Sequence, residues 1–494
     1  MRRALLLMVC MVPITVFAQE GEPRHPAIVH FEEIGRIDAG ASIVWPLGDV
    51  SGDGIDDFAI KRYLDTSFSV AGYPNPRSAS EVAILYGRQG ELPRVEDAVR
   101  IGPEAIGIDE ELLAVGDWDG RNGLDIVVRY EDYLDTTFKK STDYPTYFTV
   151  VFWNDGTGRY RTNDTTRLWP GEFEAGNVVT KASSIDFDQN GVEDLVLQGG
   201  TSALLEGELR KNIIPRLRVH LGEKDKPIAN KADWKWWNAP DNVDRLESQD
   251  LDHDGAQDLI LYINESNSPL TVLYGRSDGQ FPDTIYDRQQ ITINGLAANF
   301  SDVTGDNYAD LVILNSAQDF VYCYVSTPSA RRMQDMFGTG NDPPREGEWW
   351  SRPWATLKGP KLVNQFWLSL SEHLFPLGSA DTSAPDEIWV QSWPYILIYR
   401  TGIRLDSIID AEFDIRIVGG VPLRIGDING DNRDEFAMAA DPITVFKFPE
   451  ALPSTVGRAR KVPDGTDTPD SVSGVEECLT EEVWKATTTT MNLW

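Results

Sequence analysis

The sequence predicts an all-β protein, a seven-bladed β-propeller whose N-terminal strand closes the last blade. Two observations carry this prediction. An acidic ten-residue segment recurs six times without gaps, and a short apolar run follows every copy. The chain from Asp49 to Asp427 divides into six intervals of about 63 residues. Units of this length with three or four short strands are typical of propellers, in which radial repetition protects the sheet edges.

Length, charge and cysteine content set the broad class of protein. The chain has 494 residues, of which 41% are hydrophobic, enough to bury a large core. It carries 45 Lys and Arg against 78 Asp and Glu, a formal net charge of −33, which disfavours nucleic-acid binding and suits bound cations. Beyond residue 18 only Cys323 and Cys478 occur, too few for a disulfide framework, so metal ions are candidate stabilisers.

The propeller is predicted to occupy residues 27–450, with other segments at both ends. Residues 1–18 combine a basic start, an apolar stretch and small residues before Gln19, which is typical of a secretory signal peptide rather than a short buried helix. Residues 451–494 are rich in Pro, Thr, Asp and Ser, which predicts a flexible linker and tail. We therefore expect a secreted protein, extracellular or at a bacterial cell surface, without a transmembrane segment.

The six acidic segments align position by position, and each is named here after its first residue. They are the Asp49 loop (DVSGDGIDDF), the Asp117 loop (DWDGRNGLDI), the Asp186 loop (DFDQNGVEDL), the Asp250 loop (DLDHDGAQDL), the Asp302 loop (DVTGDNYADL) and the Asp427 loop (DINGDNRDEF). Positions 1, 3, 5 and 9 carry oxygen side chains almost everywhere, positions 2 and 10 are apolar, and position 6 is Gly or Asn. The apolar run after position 9 predicts a strand, so the loop lies in a β-hairpin and is not an EF-hand.

This spacing predicts calcium sites. Calcium takes six to eight oxygen ligands, and a tight loop presents alternate side chains inward together with the backbone carbonyl of position 7. Gly and Asn at position 6 are the residue types that most readily adopt a positive φ. We expect three to five structural Ca²⁺ ions, the alternative being six acidic surface turns. The predicted ligands are Asp49, Ser51, Asp53, Asp57, Asp186, Asp188, Asn190, Asp194, Asp250, Asp252, Asp254, Asp258, Asp302, Thr304, Asp306, Asp310, Asp427, Asn429, Asp431 and Glu435.

Two copies depart from the pattern. The Asp117 loop has Arg121 at position 5, where a bound cation would meet a like charge, so we expect this loop to be empty or distorted. A seventh, degenerate copy lies at residues 377–390, where Ser379, Ala384 and Pro385 remove the ligand set. We expect this copy to keep its hairpin and to lack a metal.

The ends of the repeat array predict how the ring closes. The last unit stops near Phe448 after its third strand, and residues 28–34 form a separate strand before the first loop, so this strand is expected to complete the final blade. Trp169, Trp234 and Trp349 each fall where an outer strand belongs. Structural packing is favoured for them over stacking on a carbohydrate.

The repeat, with its acidic loop and its apolar strand, resembles the FG-GAP (VCBS-type) repeat of the integrin α-subunit head over roughly residues 27–450. The resemblance implies a seven-bladed propeller whose calcium loops join the first two strands of each blade, on the face opposite the usual ligand surface. It is specific for the fold and poorly specific for function. The chain lacks an inserted adhesion domain, and the bacterial character of the signal and the repeats argues against an integrin.

Long connections after the second strand predict a ligand surface on the other face. Those at residues 62–80, 129–146 and 198–215 are long, and the first two resemble each other in sequence. The candidate ligand-binding residues are Tyr63, Asp65, Phe68, Tyr73, Tyr133, Asp135, Phe138 and Tyr144. Aromatic rings beside carboxylates suit a sugar or peptide, although paired hairpin arms with a small aromatic core would use the same residues.

Two functions from different classes fit these features. The favoured one is a monomeric, non-catalytic recognition or adhesion module for an extracellular protein or glycan. The alternative is a calcium-dependent extracellular polysaccharide lyase or glycoside hydrolase on a propeller scaffold, because 78 acids offer many chance carboxylate pairs. The sequence contains no HExxH, GxSxG or P-loop motif and no Cys/His cluster, so no catalytic residue is assigned.

Overall fold

In the residues that the computed structural model describes, the secondary structure is all-β apart from one 3-10 turn. These residues are 27–28, 31–68, 77–101, 108–121, 123–132, 146–168, 177–201, 216–240, 243–263, 269–284, 286–292, 295–304, 308–315, 320–324, 355–358, 374–375, 388–392, 395–399, 408–410, 413–416, 421–439 and 442–448. The predicted signal peptide, the tail and most of the degenerate copy at 377–390 lie outside these residues.

The strands of the first half of the chain follow the repeat. They are β1 (Ala27–Ile28), β2 (Glu32–Ile37), β3 (Ala41–Gly48), β4 (Asp57–Phe68), β5 (Arg77–Leu85), β6 (Val99–Ile101), β7 (Ile108–Gly116), β8 (Asp125–Asp132), β9 (Thr146–Asn154), β10 (Tyr160–Leu168), β11 (Asn177–Ile185), β12 (Asp194–Thr201), β13 (Leu217–His220) and β14 (Trp234–Trp236). The 3-10 turn, Val95–Asp97, lies between β5 and β6.

The second half continues in the same manner. Its strands are β15 (Val243–Gln249), β16 (Asp258–Ile263), β17 (Pro269–Leu273), β18 (Arg288–Thr292), β19 (Gly295–Ser301), β20 (Asp310–Asn315), β21 (Phe320–Tyr324), β22 (Ala355–Lys358), β23 (Leu374–Phe375), β24 (Ile388–Ser392), β25 (Tyr395–Tyr399), β26 (Ile408–Asp410), β27 (Phe413–Arg416), β28 (Val421–Gly426), β29 (Glu435–Ala439) and β30 (Ile443–Lys447).

The described strands form a β-propeller of six sheets, where the sequence predicted seven blades. The difference arises in an eight-stranded sheet that contains both β3–β6 and β7–β10. A single antiparallel pair, Ala79 with Ile108, joins the two sets of strands. Beside this junction the buried Glu110 carboxylate accepts hydrogen bonds from the Val82 N–H at 3.1 Å and from the Arg100 guanidinium at 2.8 Å. These contacts tie two repeat units into one sheet.

The N-terminal segment closes the ring, as predicted. β2 pairs antiparallel with β30 in the sheet that also contains β28 and β29, although the strand runs over residues 32–37 rather than 28–34. A second pairing was not predicted, since β1 adds in parallel to β27 of the preceding sheet. The first strands of the chain therefore join two sheets near its C-terminal end.

The hydrophobic core lies between successive sheets. Along β16 every residue is buried, because a central strand of one sheet is covered by a neighbouring sheet on each side. Ile185 and Phe187 pack with Leu246 and Leu259 across one junction. The ends of the array meet in the same way, since a further core cluster contains both Ile60 of β4 and Val445 of β30, among other residues. Among the described residues no helix is long or apolar enough to cross a membrane.

The buried His220, at the end of β13, links stability to pH. It is 2% exposed, its Nδ1 lies 2.9 Å from the Ala229 carbonyl oxygen, and burial lowers its pKa to about 4. The unfolded pKa is about 6.5. The neutral ring therefore contributes its full stability above pH 6.5, and this contribution falls as the pH drops towards 4.

We expect acidification from about pH 7 to about pH 4.5 to remove about 2.5 kcal/mol through this histidine. Urea unfolding at both pH values should show a smaller loss in His220→Gln than in the wild type. Equal losses in the two proteins would contradict the assignment.

Candidate metal centres

Each acidic loop connects the first two strands of its repeat unit. The loops lie between β3 and β4, β7 and β8, β11 and β12, β15 and β16, β19 and β20, and β28 and β29. The predicted hairpin location is therefore confirmed for all six copies. The apolar residues at positions 2 and 10 are buried throughout, as Leu251 and Leu259 show in the Asp250 loop, and they fix both ends of each loop to the core.

The carboxylate at position 9 organises the hairpin. Asp258 is fully buried, and its two oxygens accept hydrogen bonds from the Leu251 N–H at 2.7 Å and the Gly275 N–H at 2.8 Å. The first donor belongs to position 2 of the same loop, and the second lies just beyond the third strand. Equivalent pairs of backbone donors surround Asp57, Asp125 and Asp194.

Burial raises the pKa of these carboxyl groups. The pKa is about 8 for Asp258 and about 7 for Asp194, mainly because of desolvation, with a further contribution from the acids at positions 1 and 3. A nearby divalent cation would offset both effects, because it screens the mutual repulsion and favours the ionised form. The electrostatics of the loop thus suit a cation.

The carboxylate at position 1 folds the loop around itself. Asp186 accepts hydrogen bonds from the N–H groups of Asn190 at 3.1 Å and Gly191 at 3.0 Å. Asp427 accepts from Asp431 and Asn432 in the same pattern, at 3.0 and 2.6 Å. These bonds bring positions 1, 5 and 6 together.

Two positions of the loop have a positive φ, whereas the sequence predicted only one. Position 6 has φ values of +81° at Gly191, +89° at Gly255 and +65° at Asn432. Position 4 also adopts this conformation, even where it is Gln189 (+56°) or His253 (+58°). Position 4 is Gly in four of the six copies, which was an available signal, whereas at Gln189 and His253 the surrounding contacts impose the conformation.

Position 6 offers a test of backbone strain without steric clash. A Cβ atom at Gly255 would meet no atom within 4 Å, so Gly255→Ala adds only the cost of a positive φ, about 1–2 kcal/mol. Gly255→Asn should cost less, since Asn tolerates this region. Urea unfolding of the two variants measures the difference, and equal stabilities would contradict the explanation.

Three loops bring carboxylates close enough to share a cation. One oxygen from each of Asp186, Asp188 and Asp194 lies within 4.8 Å of the others. The same holds for Asp250, Asp252 and Asp254. Oxygens at calcium bonding distance, about 2.4 Å, on opposite sides of one ion would be about 4.8 Å apart, so these groups can hold a metal ion.

A buried carboxylate oxygen without a hydrogen-bond partner among the described residues supports a cation site in the Asp250 loop. Oδ1 of Asp250 is buried and has no hydrogen-bond partner among the described residues, whereas its Oδ2 accepts from the Gly255 N–H at 3.0 Å. A buried carboxylate oxygen without a donor is costly unless a cation or water completes it. The donor set is composed of oxygens alone, which is the chemistry that Ca²⁺ prefers.

The Asp117 loop forms the third group, from Asp117, Asp119 and Asp125, although Arg121 occupies position 5. The Arg121 Nε lies 3.4 Å from Oδ2 of Asp119, and its Nη2 donates to the Asp225 carbonyl oxygen at 3.0 Å. The loop therefore keeps its carboxylates together and also contains the positive charge of Arg121. The expectation that it is empty or distorted stays a prediction.

In the three remaining loops, predicted ligands form hydrogen bonds with one another. In the Asp49 loop the Ser51 hydroxyl donates to Oδ1 of Asp49 at 3.3 Å, and in the Asp302 loop Thr304 donates to Asp302 at 3.4 Å. Asp306 lies outside the described residues. In the Asp427 loop Asn429 donates to Glu435 at 2.8 Å.

Three of the predicted ligands at position 5 have other partners in the structure. Lys447 forms an ion pair with Asp431 in the Asp427 loop, a competing charge that the loop pattern did not reveal. Asp53 accepts the Ile55 N–H at 3.0 Å, and Asn190 accepts the Val192 N–H at 2.7 Å and donates to the Gly222 carbonyl oxygen at 2.9 Å. At position 5 these side chains therefore also brace the loop backbone.

Sequence reasoning missed the role of position 8. In three loops the side-chain oxygen of position 8 accepts a hydrogen bond from the backbone N–H of position 1 in the preceding loop. Asp56 accepts from Asp427 in this way, at 2.9 Å. The equivalent residues are Glu193 with Asp117 at 3.0 Å and Gln257 with Asp186 at 3.5 Å. Position 8 is polar in four of the six copies (Asp56, Glu193, Gln257 and Asp434), and this was the available signal.

The candidate ligand residues on the other face are only partly placed. Tyr63 is 50% exposed on β4. Asp65 and Phe68 belong to the same strand, whose pairing with β5 continues to Phe68 and Arg77, so this connection begins as an extended hairpin arm. The side chains of Asp65 and Phe68, and all of Tyr73, Tyr133, Asp135, Phe138 and Tyr144, lie outside the described residues.

The tryptophan-rich segment of β14 is mainly structural, as favoured. Trp236 is 4% exposed, and Trp234 stacks on Phe281 of the next sheet with ring centroids 5.8 Å apart. The adjacent Trp237 is 47% exposed. Trp169 and Trp349 lie outside the described residues.

Fold and loops together define a β-propeller with acidic hairpin loops that can hold metal ions. No protein-family model matches the chain, and no curated protein matches it. A comparison with solved structures matches BBS1N in complex with ARL6DN, at 11% identity and a TM-score of 0.45, over 86% of this chain and 99% of the other.

Two further matches have lower scores. One is an Agrocybe aegerita lectin that recognises non-reducing terminal N-acetylglucosamine, at 10% identity and a TM-score of 0.40, over 75% of this chain and 88% of the other. The second is Bacillus licheniformis rhamnogalacturonan lyase, at 11% identity and a TM-score of 0.29, over 85% and 92%. At these values the similarities carry no information about function.

Proposed function

We propose that this protein is a secreted, calcium-stabilised propeller of the FG-GAP type that acts as a non-catalytic recognition module for an extracellular protein or glycan. The observation that carries the proposal is the repeated grouping of carboxylates in hairpin loops at one end of the sheets. Asp186, Asp188, Asn190 and Asp194, and Asp250, Asp252, Asp254 and Asp258, would hold two of the ions. Bound calcium would neutralise crowded negative charge and fix the loop backbone.

The eight-stranded sheet counts as two blades in this proposal. Its two halves, β3–β6 and β7–β10, each contain one acidic loop, and a single strand pair among the described residues, Ala79 with Ile108, joins them. With this division the ring has seven blades of four or five strands. A crystal structure with six blades of equal angular spacing would contradict the count.

The opposite face is the proposed binding surface. The acidic loops form hydrogen bonds with one another and with neighbouring turns, so we assign them a structural role. The extended arm of β4 and β5 projects from the other end of its sheet and carries the half-exposed Tyr63. An aromatic ring with one free face suits a sugar ring or a peptide.

The test separates binding from catalysis. The purified protein is incubated with a panel of extracellular polysaccharides and proteins. Its binding to each one and its cleavage of each polysaccharide are both measured. The proposal expects retention that Tyr63→Ala weakens, with no new reducing ends and no unsaturated products. Reproducible turnover abolished by Asp65→Ala or Asp135→Ala would contradict it and establish the lyase or hydrolase alternative.

A further inference from the structure

The carboxylate of Asp56 connects two acidic loops that are far apart in sequence. It is position 8 of the Asp49 loop, and its Oδ2 accepts the N–H of Asp427 at 2.9 Å. The Asp56 N–H donates in return to the Asp427 carbonyl oxygen at 3.0 Å. The fit is close, because a Cβ atom added to Gly426 would lie 2.1 Å from the same Oδ2.

The residue held in this way is the organiser of its own loop. Asp427 accepts the N–H groups of Asp431 and Asn432 through its two carboxylate oxygens. Its backbone position therefore sets where the first proposed ligand of the Asp427 loop lies. Contacts from the neighbouring blade that hold the Asp427 backbone in place therefore also hold its carboxylate, the first proposed ligand, in place.

A turn of the same neighbouring blade reinforces the contact. The N–H groups of Arg88 and Gly90 donate to the carbonyl oxygens of Ile428 and Asn429, at 3.0 and 2.7 Å. The turn is itself anchored at Gly87, whose N–H donates to Oδ1 of Asp57 at 2.7 Å. The Asp427 loop thus contacts a turn that the position 9 carboxylate of the neighbouring blade, Asp57, holds in place.

The same arrangement recurs with a different side chain between the Asp186 and Asp250 loops. Gln257, at position 8 of the Asp250 loop, places Oε1 3.5 Å from the Asp186 nitrogen. Gln189 adds a bond of 3.3 Å to the Arg276 carbonyl oxygen. At two other junctions position 8 is Leu124 or Ala309, whose side chains offer no acceptor.

We propose that the position 8 side chains are positioning residues for the cation site of the preceding blade, so that the calcium affinity of one loop depends on the blade that follows it. Asp56 acts on the Asp427 loop and Gln257 acts on the Asp186 loop. The Asp49 and Asp250 loops are independent of position 8. This inference rests on the proposed calcium binding.

Calcium titration by calorimetry tests the inference, with melting temperature in calcium and in EDTA as a second readout. Asp56→Ala is expected to weaken one site by about tenfold, the loss of one charge-assisted hydrogen bond. Asp56→Asn removes the same charge and keeps an acceptor oxygen, so its affinity should stay within about threefold of the wild type. The exposed Glu96→Ala is the charge-matched control.

Combining Asp56→Ala with a substitution that disables one of the two loops shows which calcium site loses affinity. With the Asp427 loop disabled by Asp431→Ala, Asp56→Ala should cause no further loss of affinity. With its own loop disabled by Asp53→Ala, the tenfold loss should remain. Loss in the first background, or equal weakening by Asp56→Ala and Asp56→Asn, would overturn the inference.

A second variant keeps the test decisive if Asp56→Ala does not fold. Gln257→Ala changes an exposed side chain and should weaken the Asp186 site by about two- to threefold, an effect absent when Asp188→Ala has already disabled that site. An unchanged affinity would overturn the inference. A wild-type protein without any calcium response would instead contradict the proposed function and remove the inference with it.

Discussion

Calcium should raise the melting temperature of the protein by roughly 10–15 °C over its value in EDTA. Each ion that binds only the folded state contributes about 2.7 kcal/mol at a hundredfold excess over its dissociation constant, and five such sites contribute about 13 kcal/mol. Unfolding entropies near 2 cal/mol/K per residue convert this to about one degree per kcal/mol for a chain of this length. Differential scanning calorimetry in the two buffers measures the shift.

Variants assign the shift to particular loops. Asp188→Ala with Asp252→Ala removes a carboxylate from two of the three close groups and should abolish about 5 kcal/mol of the calcium effect. The control pair Asp97→Ala with Glu96→Ala removes two charges from the 3-10 turn and should leave the effect unchanged. A shift of equal size in both double variants would mean that calcium acts through general screening.

Among the carboxylates of the Asp250 loop, Asp258 should be the one whose replacement by Ala destabilises the protein most, with or without calcium. It leaves the buried N–H groups of Leu251 and Gly275 without their acceptor, which costs about 2–6 kcal/mol for the two donors. Urea unfolding in EDTA measures this cost independently of any metal.

A neighbouring acid is the matched control for this substitution. Asp254 is exposed and accepts the Ala256 N–H at 2.8 Å. Asp254→Ala should cost less than about 1 kcal/mol in EDTA and lose stability relative to the wild type only when calcium is added. If Asp258→Ala matched Asp254→Ala in EDTA, the organising role of position 9 would be wrong.

The sequence predicted the parts of this fold that are encoded within one repeat. Apolar residues on both sides of each acidic loop located the hairpins, because an alternation of turn and buried strand is a local property. The grouping of carboxylates followed from the same spacing, as Asp186, Asp188 and Asp194 show.

What the sequence did not predict depends on contacts between repeats. Asp56 acts on Asp427, which is remote in the chain, so no pattern within one loop reveals the bond. The joining of two blades depends on how far β4 and β5 extend, which places Ala79 beside Ile108. Positive φ at Gln189 and His253 is likewise imposed by surrounding contacts rather than by residue type.

The most direct test of calcium binding is a crystal structure grown in calcium and recorded at a wavelength where calcium scatters anomalously. We predict anomalous peaks within bonding distance of Asp186 and Asp188 in one loop and of Asp250 and Asp252 in another. Ordered loops without a peak at either position would show that the carboxylates serve the hairpins alone, and the calcium-stabilised propeller would be wrong.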